Sequence, residues 1–360
     1  MIRVEAEHHA YDIHCRWGAL DDLGALMRDA GLRGSAFVIS DDAVGPLYGE
    51  RALTSLCAAG FDAALFAFAA GESSKSLETV RAAYDWLLEQ RAERASTIVA
   101  LGGGVAGDLG GFVAATYLRG VNFVQAPTSL LAMVDASIGG KVGVDHPRGK
   151  NLIGSFYAPR LVVQDTSLLA SLPERSYREG FAEVIKHALI MDAPMLDVLE
   201  RDADRLLAVE PELTTEIVAR NAALKAAVVS EDEREGGRRM ILNYGHTVGH
   251  AIEAVTGYTR VLHGEAISIG MMAAAEIGRR MGVAPAAVGE RQARLFERYG
   301  LPLRHTGLDV DAVIAAMALD KKVASKKVRW ILLEDVGRPV VRDDVPDDVV
   351  RDVLRRHASR

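Results

Sequence analysis

The sequence predicts an α/β N-terminal domain built on a parallel sheet, residues 1–172, followed by an all-α C-terminal domain, residues 173–360. Three observations carry this. Short apolar runs bounded by Gly, Pro or polar residues alternate with helix-spaced segments through the first half, as in a parallel sheet covered by helices. After "SLPERSYREG" the pattern changes to long helical segments. The chain has 360 residues, 49% hydrophobic and 25% charged, enough for two compact domains with sizeable cores.

The strands are read in order from "SAFVIS" (35–40), "FDAALFAF" (61–68), "STIVAL" (96–101), "VNFVQAP" (121–127) and "RLVVQD" (160–165). The segment "SLETVRAAYDWLLEQRA", with apolar residues at helical spacing, is a typical connection between them. In the second domain, "FAEVIKHALI", "LTTEIVARNAALKAAVVS" and "EAISIGMMAAAEIGRRMG" read as helices. No internal repeat, low-complexity tract or long linker interrupts the pattern.

A formal charge of −7 argues against a nucleic-acid partner, which needs a basic surface. The two cysteines, Cys15 and Cys57, form no CxxC pair or disulfide framework, which suits a reducing compartment. The N-terminus lacks the basic start and apolar core of a secretory signal, and no apolar run is long enough to cross a membrane. A cytoplasmic protein with no membrane partner is expected.

Four features point to chemistry. After the strand ending at Leu101, Gly102, Gly104 and Gly107 fit Gly-x-Gly-x-x-Gly ahead of a helix, a spacing that lets a backbone approach a pyrophosphate at a helix N-terminus. No acid about twenty residues on would hold a ribose, and Asp41 at the end of "SAFVIS" is the candidate instead. In "PTSLLAMVDASIGGKVGVDHPRGKNLIGSFYAP", Asp135, Lys141, Lys150 and Asn151 stand among glycines, and cations on such turns suit phosphate oxygens; a solvated loop is the alternative. In "LNYGHTVGHAIE", His246 and His250 are four apart and share a helical face, and His263 follows in "VLHGE". Glu183 could close a set of one carboxylate and two imidazoles with an open position, the pattern of a catalytic zinc. His187, four after Glu183, is a rival ligand, and a buried helix that tolerates imidazoles is the plainer alternative. His8, His9 and His14 read as surface residues.

Five segments in order and spacing, "GGGVAGDLGGFVAATYLRG", "PTSLLAMVDASIGGKVGVDHPRGKNLIG", "SLPERSYREGFAEVIKHALI", "DEREGGRRMILNYGHTVGHAIE" and "LHGEAISIGM", resemble 3-dehydroquinate synthase, a sugar-phosphate cyclase, over nearly the whole chain. The resemblance implies a Rossmann-like NAD-binding domain, a helical metal-binding domain and a homodimer. The implied reaction converts 3-deoxy-D-arabino-heptulosonate 7-phosphate to 3-dehydroquinate and phosphate, a shikimate-pathway step. It proceeds by transient NAD-dependent oxidation, phosphate elimination, reduction and an intramolecular aldol closure.

By that resemblance Glu183, His246 and His263 bind the divalent metal, zinc or cobalt. Lys141, Asn151, His250 and Arg119 face the substrate phosphate, Arg119 acting across the dimer interface. Lys225, Arg239 and Asn243 face the carboxylate, and Asp135 and Lys186 contact the hydroxyls. The NAD-binding segments correspond to Gly71, Glu72, Ser73, Ser74 and Lys75; to Gly104, Val105, Ala106, Gly107 and Asp108; to Thr128 and Ser129; to Lys141 and Lys150; and to Leu168, Leu169, Ala170 and Ser171. A further substrate lysine is either Lys321 or Lys322. The chain departs from the family at Ala43, Ser129, Val142 and Asp145, which bear on individual cofactor contacts. Alternatives are another cyclase, such as 2-deoxy-scyllo-inosose synthase or amino-dehydroquinate synthase, and a metal-dependent polyol dehydrogenase of similar build.

Overall fold

The computed structural model describes residues 1–7, 9–258, 260–324 and 328–358, the side chains of 319–324 excepted. It divides into two compact units, Met1–Leu172 with Pro211–Glu233, and Pro173–Glu210 with Arg234–Arg360.

The first unit begins with β1 (Ile2–Val4), β2 (Tyr11–Arg16), α1 (Leu23–Asp29), β3 (Ser35–Asp41), α2 (Gly45–Ala58) and β4 (Asp62–Phe68). It continues through α3 (Leu77–Glu89), β5 (Thr97–Gly102), α4 (Gly104–Thr116), β6 (Asn122–Pro127), the strands β7 (Lys141–His146) and β8 (Gly149–Phe156), and β9 (Leu161–Asp165). Seven strands form one sheet in the order β1-β2-β9-β6-β5-β3-β4, and β7 pairs with β8 in a separate hairpin. Within the large sheet only β1 runs antiparallel to its neighbour. All five strands expected from the sequence are present. The β1 and β2 strands and the β7–β8 hairpin were not foreseen, the hairpin because its glycines and lysines read as a loop.

Strand β5 explains why a continuous apolar run marked the sheet centre, since all six of its residues are buried and both faces are covered. Ile98 and Ala100 pack with Phe37, Ile39, Val80 and Leu109 on one face. Val99 and Leu101 pack with Val38, Leu23, Met27 and Leu56 on the other. Helix α3 starts where Ser76 accepts a hydrogen bond from the Thr79 N–H, an N-cap that satisfies an orphan donor.

The strand order reverses between β3 and β5: the chain leaves β3 for β4 on one side, then returns to β5 on the other. The carboxyl ends of parallel strands at such a point form the usual ligand crevice.

The second unit holds α5 (Glu174–Met191), α6 (Ala193–Arg201) and α7 (Ala203–Leu207); α8 (Pro211–Glu231) follows in sequence. It resumes with α9 (His246–Val255), α10 (His263–Arg280), α11 (Ala286–Arg298), α12 (Val310–Ala324), the hairpin β10 (Trp330–Asp335) and β11 (Arg338–Arg342), and α13 (Asp347–Ala358). The unit is therefore helix-rich rather than wholly α. Helix α8 needs a further correction, since the expected cut placed it in the second domain. Its Ala222, Ala226 and Val229 are buried with Val4, Tyr11, Ile13 and Val162 of the first unit, and this shared apolar surface decides where the helix belongs.

Glycines hold α5, α9 and α10 close together. A Cβ on Gly270 would lie 2.0 Å from the Gly245 carbonyl oxygen, and one on Gly264 would lie 2.0 Å from the Glu179 carbonyl oxygen. Gly245 itself has φ +81° and immediately precedes His246. These contacts set the spacing at which side chains of the three helices meet. No described helix is long and apolar enough to cross a membrane.

Candidate metal centre and cofactor-binding edge

Helix α5 is the buried partner of this centre. From one face it presents Glu183, Lys186 and His187, all essentially inaccessible to solvent. Glu183 Oε1 faces His246 Nε2 at 3.7 Å and His263 Nε2 at 3.9 Å. Lys186 forms an ion pair with the other carboxylate oxygen, Oε2. Beyond that ion pair the buried carboxylate makes no hydrogen bond among the described residues, and its Oε1 is left with only the two imidazoles in front of it. Leaving a buried anionic acceptor unsatisfied costs too much to be incidental, and a divalent cation between the three side chains satisfies it. The donor atoms of Glu183, His246 and His263 all lie within 4.8 Å of one another.

Each imidazole is oriented through its other nitrogen. His246 Nδ1 lies 3.2 Å from the Tyr244 carbonyl oxygen, and His263 Nδ1 lies 3.3 Å from Glu253 Oε2. A proton on Nδ1 in each case leaves the Nε2 lone pair aimed at Glu183, the tautomer a metal ligand needs. Burial, reinforced by the nearby Lys186 charge, drives the His246 pKa well below its ordinary value, so the ring is neutral.

His187, the rival ligand by spacing, sits 3.9 Å from Glu183 Oε2, the oxygen turned away from the other two imidazoles. His250 is exposed, with ring centroids 5.1 Å from His246 and 6.0 Å from His263. The start of α10 is fixed by two carboxylates: Glu265 accepts from the Leu262 N–H at 2.9 Å and Glu179 from the Gly264 N–H at 3.0 Å. Arg239 is buried on the turn Arg238–Asn243, and Asn243 donates to Glu235 at 2.6 Å.

In the first unit the expected cofactor segments share one edge of the sheet. Each follows the carboxyl end of a parallel strand: Asp41 ends β3, residues 71–75 follow β4, 104–108 follow β5, Thr128 and Ser129 follow β6, and 168–171 follow β9. Helix α4 begins at Gly104 with no side-chain cap and no acid in its first turn, which leaves its amides and dipole suited to an anion. A Cβ on Gly102 would come within 2.6 Å of the Ala106 Cβ, so the turn tolerates no side chain there. Gly107 has a different task. A Cβ there would lie 2.9 Å from Gln125, so it serves close packing of α4 on β6.

Asp41 turns one oxygen to the amides of Ala43 and Val44, at 3.0 and 2.8 Å. The other oxygen points toward Gly102. Lys75 is buried and donates to Asp108 and to Asn151, both at 2.5 Å. Burial works against its charge, but Asp108 outweighs that and holds the ammonium above its ordinary pKa. Lys150 pairs with Glu72 at 3.0 Å, and Asp145 accepts from the Asn151 N–H at 2.8 Å. Of the two lysines that read as phosphate ligands on loops, Lys150 is thus held by a carboxylate. Lys141 opens β7 with its side chain exposed.

Lys225, on α8, donates to both the backbone and a side-chain oxygen of Asp135 at 2.5 Å. Arg119 is exposed on the turn Tyr117–Arg119, where Leu118 and Arg119 both have positive φ, 49° and 68°. Leu168 and Leu169 are buried, and Ser171 meets the Tyr48 hydroxyl. The side chains of Lys321 and Lys322 lie outside the described residues. So does His8, while His9 and His14 are half-buried rather than on the surface, His9 Nε2 lying 3.0 Å from the Pro159 carbonyl oxygen.

Comparison with known proteins decides among the families that this geometry admits. The 3-dehydroquinate synthase N-terminal family model matches residues 65–179 and the 3-dehydroquinate synthase C-terminal model matches 180–323. The 3-dehydroquinate synthase of Nostoc punctiforme is 48% identical over 358 residues, covering 99% of each chain. The chain belongs to the 3-dehydroquinate synthase family. Among solved structures, a 2-epi-5-epi-valiolone synthase from Streptomyces hygroscopicus subsp. jinggangensis, with NAD+ and Zn2+ bound, matches with TM-score 0.90 and 28% identity, covering 98% of this chain and 97% of that one. A 2-deoxy-scyllo-inosose synthase complexed with carbaglucose-6-phosphate, NAD+ and Co2+ matches with TM-score 0.88 and 27% identity, covering 99% of both. These cyclases share the fold at much lower identity than the dehydroquinate synthase.

Glu253 and Glu179 were missed in the sequence. The signal was present for Glu253, which lies seven residues after His246 and three after His250 on the same helical face. Nothing local marked Glu179, whose partner Gly264 is 85 residues away. Of the departures from the family pattern, Val142 is a core residue and Ala43 contributes only its amide to Asp41.

Proposed function

We propose that this chain converts 3-deoxy-D-arabino-heptulosonate 7-phosphate to 3-dehydroquinate and phosphate, using NAD and a divalent metal, zinc or cobalt. The observation that carries this reading is the buried Glu183 carboxylate, paired with Lys186 through Oε2, whose Oε1 has no hydrogen-bond partner and faces two imidazole nitrogens. It is supported by full-length identity of 44–48% to enzymes named 3-dehydroquinate synthase, against 27–28% to the two cyclases of other substrates. When bound, NAD+ takes up and returns a hydride at the carbon bearing the substrate hydroxyl, and the metal polarises that oxygen.

The residues of the chain divide the remaining work. Glu183, His246 and His263 hold the metal, and Lys186, beside Glu183, offers a donor to the substrate hydroxyls together with Asp135. Lys225, Arg239 and Asn243 bind the carboxylate, for which Lys225 already shows the right chemistry by gripping Asp135. Lys141, Asn151, His250 and Arg119 bind the phosphate, Lys141 as a compact point charge. The cofactor takes the sheet edge, its pyrophosphate at the start of α4 and its ribose near Asp41. A dedicated protein base for the elimination is not required if the departing phosphate takes the proton itself.

Incubation with the heptulosonate phosphate and a trace of NAD tests the reading. Phosphate released in large molar excess over NAD is expected, because the cofactor is regenerated each turnover. NADH accumulating in step with substrate consumed would instead mark a polyol dehydrogenase.

We also assign Arg119, as the family resemblance implies, to the phosphate of a partner protomer in a homodimer; its exposure on a turn with two consecutive positive φ angles, a strained backbone of the kind kept at functional positions, supports a functional role. Mixing an Arg119→Ala chain with a Lys141→Ala chain should restore activity to a fraction of mixed dimers. No recovery on mixing, with the dimer intact, would remove the assignment.

A further inference from the structure

The two metal-facing imidazoles are held differently. His246 donates from Nδ1 to a neutral backbone carbonyl, that of Tyr244. His263 faces a carboxylate, Glu253, which is itself buried at 5% exposure and sits 3.3 Å from Nδ1. Glu253 lies on α9, the helix that carries His246, while His263 opens α10. The contact therefore ties the ring of one ligand to the helix of the other. His263 has the more open side chain of the two, 28% exposed against 13% for His246. It has the greater freedom to rotate and the greater need of a positioning partner.

We propose that Glu253 is a positioning residue for metal binding, orienting the His263 ring and strengthening Nε2 as a donor through a carboxylate–imidazole hydrogen bond. This rests on the assignment of Glu183, His246 and His263 as the metal ligands. The physical basis is general: a carboxylate on the distal nitrogen fixes the tautomer and raises ligand basicity, and its loss weakens metal binding by about 10- to 100-fold. A carbonyl on His246 supplies the first effect without the full second one, so the asymmetry makes His263 the ligand most sensitive to its partner.

A competing role for Glu253 exists within the same unit, because His250, Glu253 and His263 also place donor atoms within 4.8 Å of one another. In that arrangement Glu253 would itself be a ligand of a cation together with His250. The two roles part on stoichiometry and on the effect of His250.

The test is Co2+ binding to the full chain, followed by chelator competition and by the visible d–d spectrum, for wild type and for Glu253→Gln, Glu253→Ala, His250→Ala and Glu183→Gln. Expected for wild type is one equivalent of Co2+. Glu253→Gln, which keeps the shape and an acceptor but not the charge, should bind one equivalent about 10-fold more weakly with a shifted d–d band, and Glu253→Ala more weakly still. His250→Ala should bind as wild type does. Unchanged affinity and spectrum in Glu253→Gln and Glu253→Ala, while Glu183→Gln loses the ion, would overturn the proposal but leave the metal centre intact. Equal loss in His250→Ala and Glu253→Ala would overturn it in favour of direct ligation. Wild-type binding in Glu183→Gln would sink the ligand assignment beneath it. Cooperative thermal melting of the metal-free variants separates these outcomes from misfolding, since a variant that still melts in one sharp transition is folded and its weaker Co2+ binding reports the site.

Discussion

Replacing His263 with alanine should remove bound metal and with it turnover. His263 contributes one of three donor atoms that lie within 4.8 Å of one another, and two donors do not hold a catalytic ion against water. Metal polarisation of a reacting oxygen is worth several kcal/mol, and each ~1.4 kcal/mol is tenfold in rate. The fall in kcat/KM should therefore be about 10³-fold or more. His263 is partly exposed at the start of α10, so truncation leaves little cavity and the fold should survive. The check is metal content by elemental analysis beside kcat/KM and circular dichroism. A folded variant that keeps a full equivalent of metal and normal turnover would contradict the assignment.

Part of this candidate centre was legible in the sequence because helical spacing is local, whereas the choice of Glu183 and His263 beside His246 came from the family resemblance. His246 and His250 share a face by arithmetic alone, and the glycines before α4 announce a tight turn. The parallel strands were legible for a similar reason: β3, β5, β6 and β9 are buried over most of their length, so their residues are mostly apolar, with Ser40, Thr97, Gln125, Gln164 and Asp165 as buried exceptions. What escaped was decided at long range. Helix α8 carries Asn221 and Lys225 among its buried positions, and nothing within its 21 residues says which core they join. The β7–β8 hairpin is rich in glycine and charge, and its pairing partners supply the order that its side chains do not announce. The choice between His187 and His246 as ligands was also beyond local reading. His187 shares α5 with Glu183 and lies 3.9 Å from its Oε2, whereas His246 comes from α9 to within 3.7 Å of Oε1, a difference no local spacing announces.

The same dependence on distant partners governs the lysines. By the family resemblance Lys75 belongs to a cofactor-binding segment and Lys225 to the carboxylate end, and nothing in the sequence shows what else either cation meets. In the structure each already holds an acidic side chain, Asp108 and Asp135 respectively. Two buried charges are tolerated together because each satisfies the other. A ligand that binds either lysine must therefore offer at least the charge and acceptor geometry of the carboxylate already there. At Lys225, the proposed carboxylate anchor, an anionic substrate group meets that condition and a neutral sugar end does not.

Arg239 gives the sharpest test of the carboxylate end. It is only 3% exposed, on the short turn that also carries Asn243. A guanidinium is brought out of water at that depth only if acceptors are provided for its donors. Arg239→Ala should raise KM and lower kcat/KM for the heptulosonate phosphate by about 10- to 150-fold, the equivalent of a lost charge-assisted hydrogen bond at roughly 1.5 to 3 kcal/mol. Arg239→Lys should recover only part of this, because an ammonium keeps the charge but loses the planar fork. A general structural defect predicts something different. It would depress turnover of every substrate alike, whereas loss of carboxylate recognition should leave wild type and variant nearly equal on an analogue whose carboxylate is replaced by a neutral hydroxymethyl group. Equal kinetics of wild type and Arg239→Ala on the natural substrate, with metal content unchanged, would place the carboxylate elsewhere and leave Lys225 as its remaining anchor.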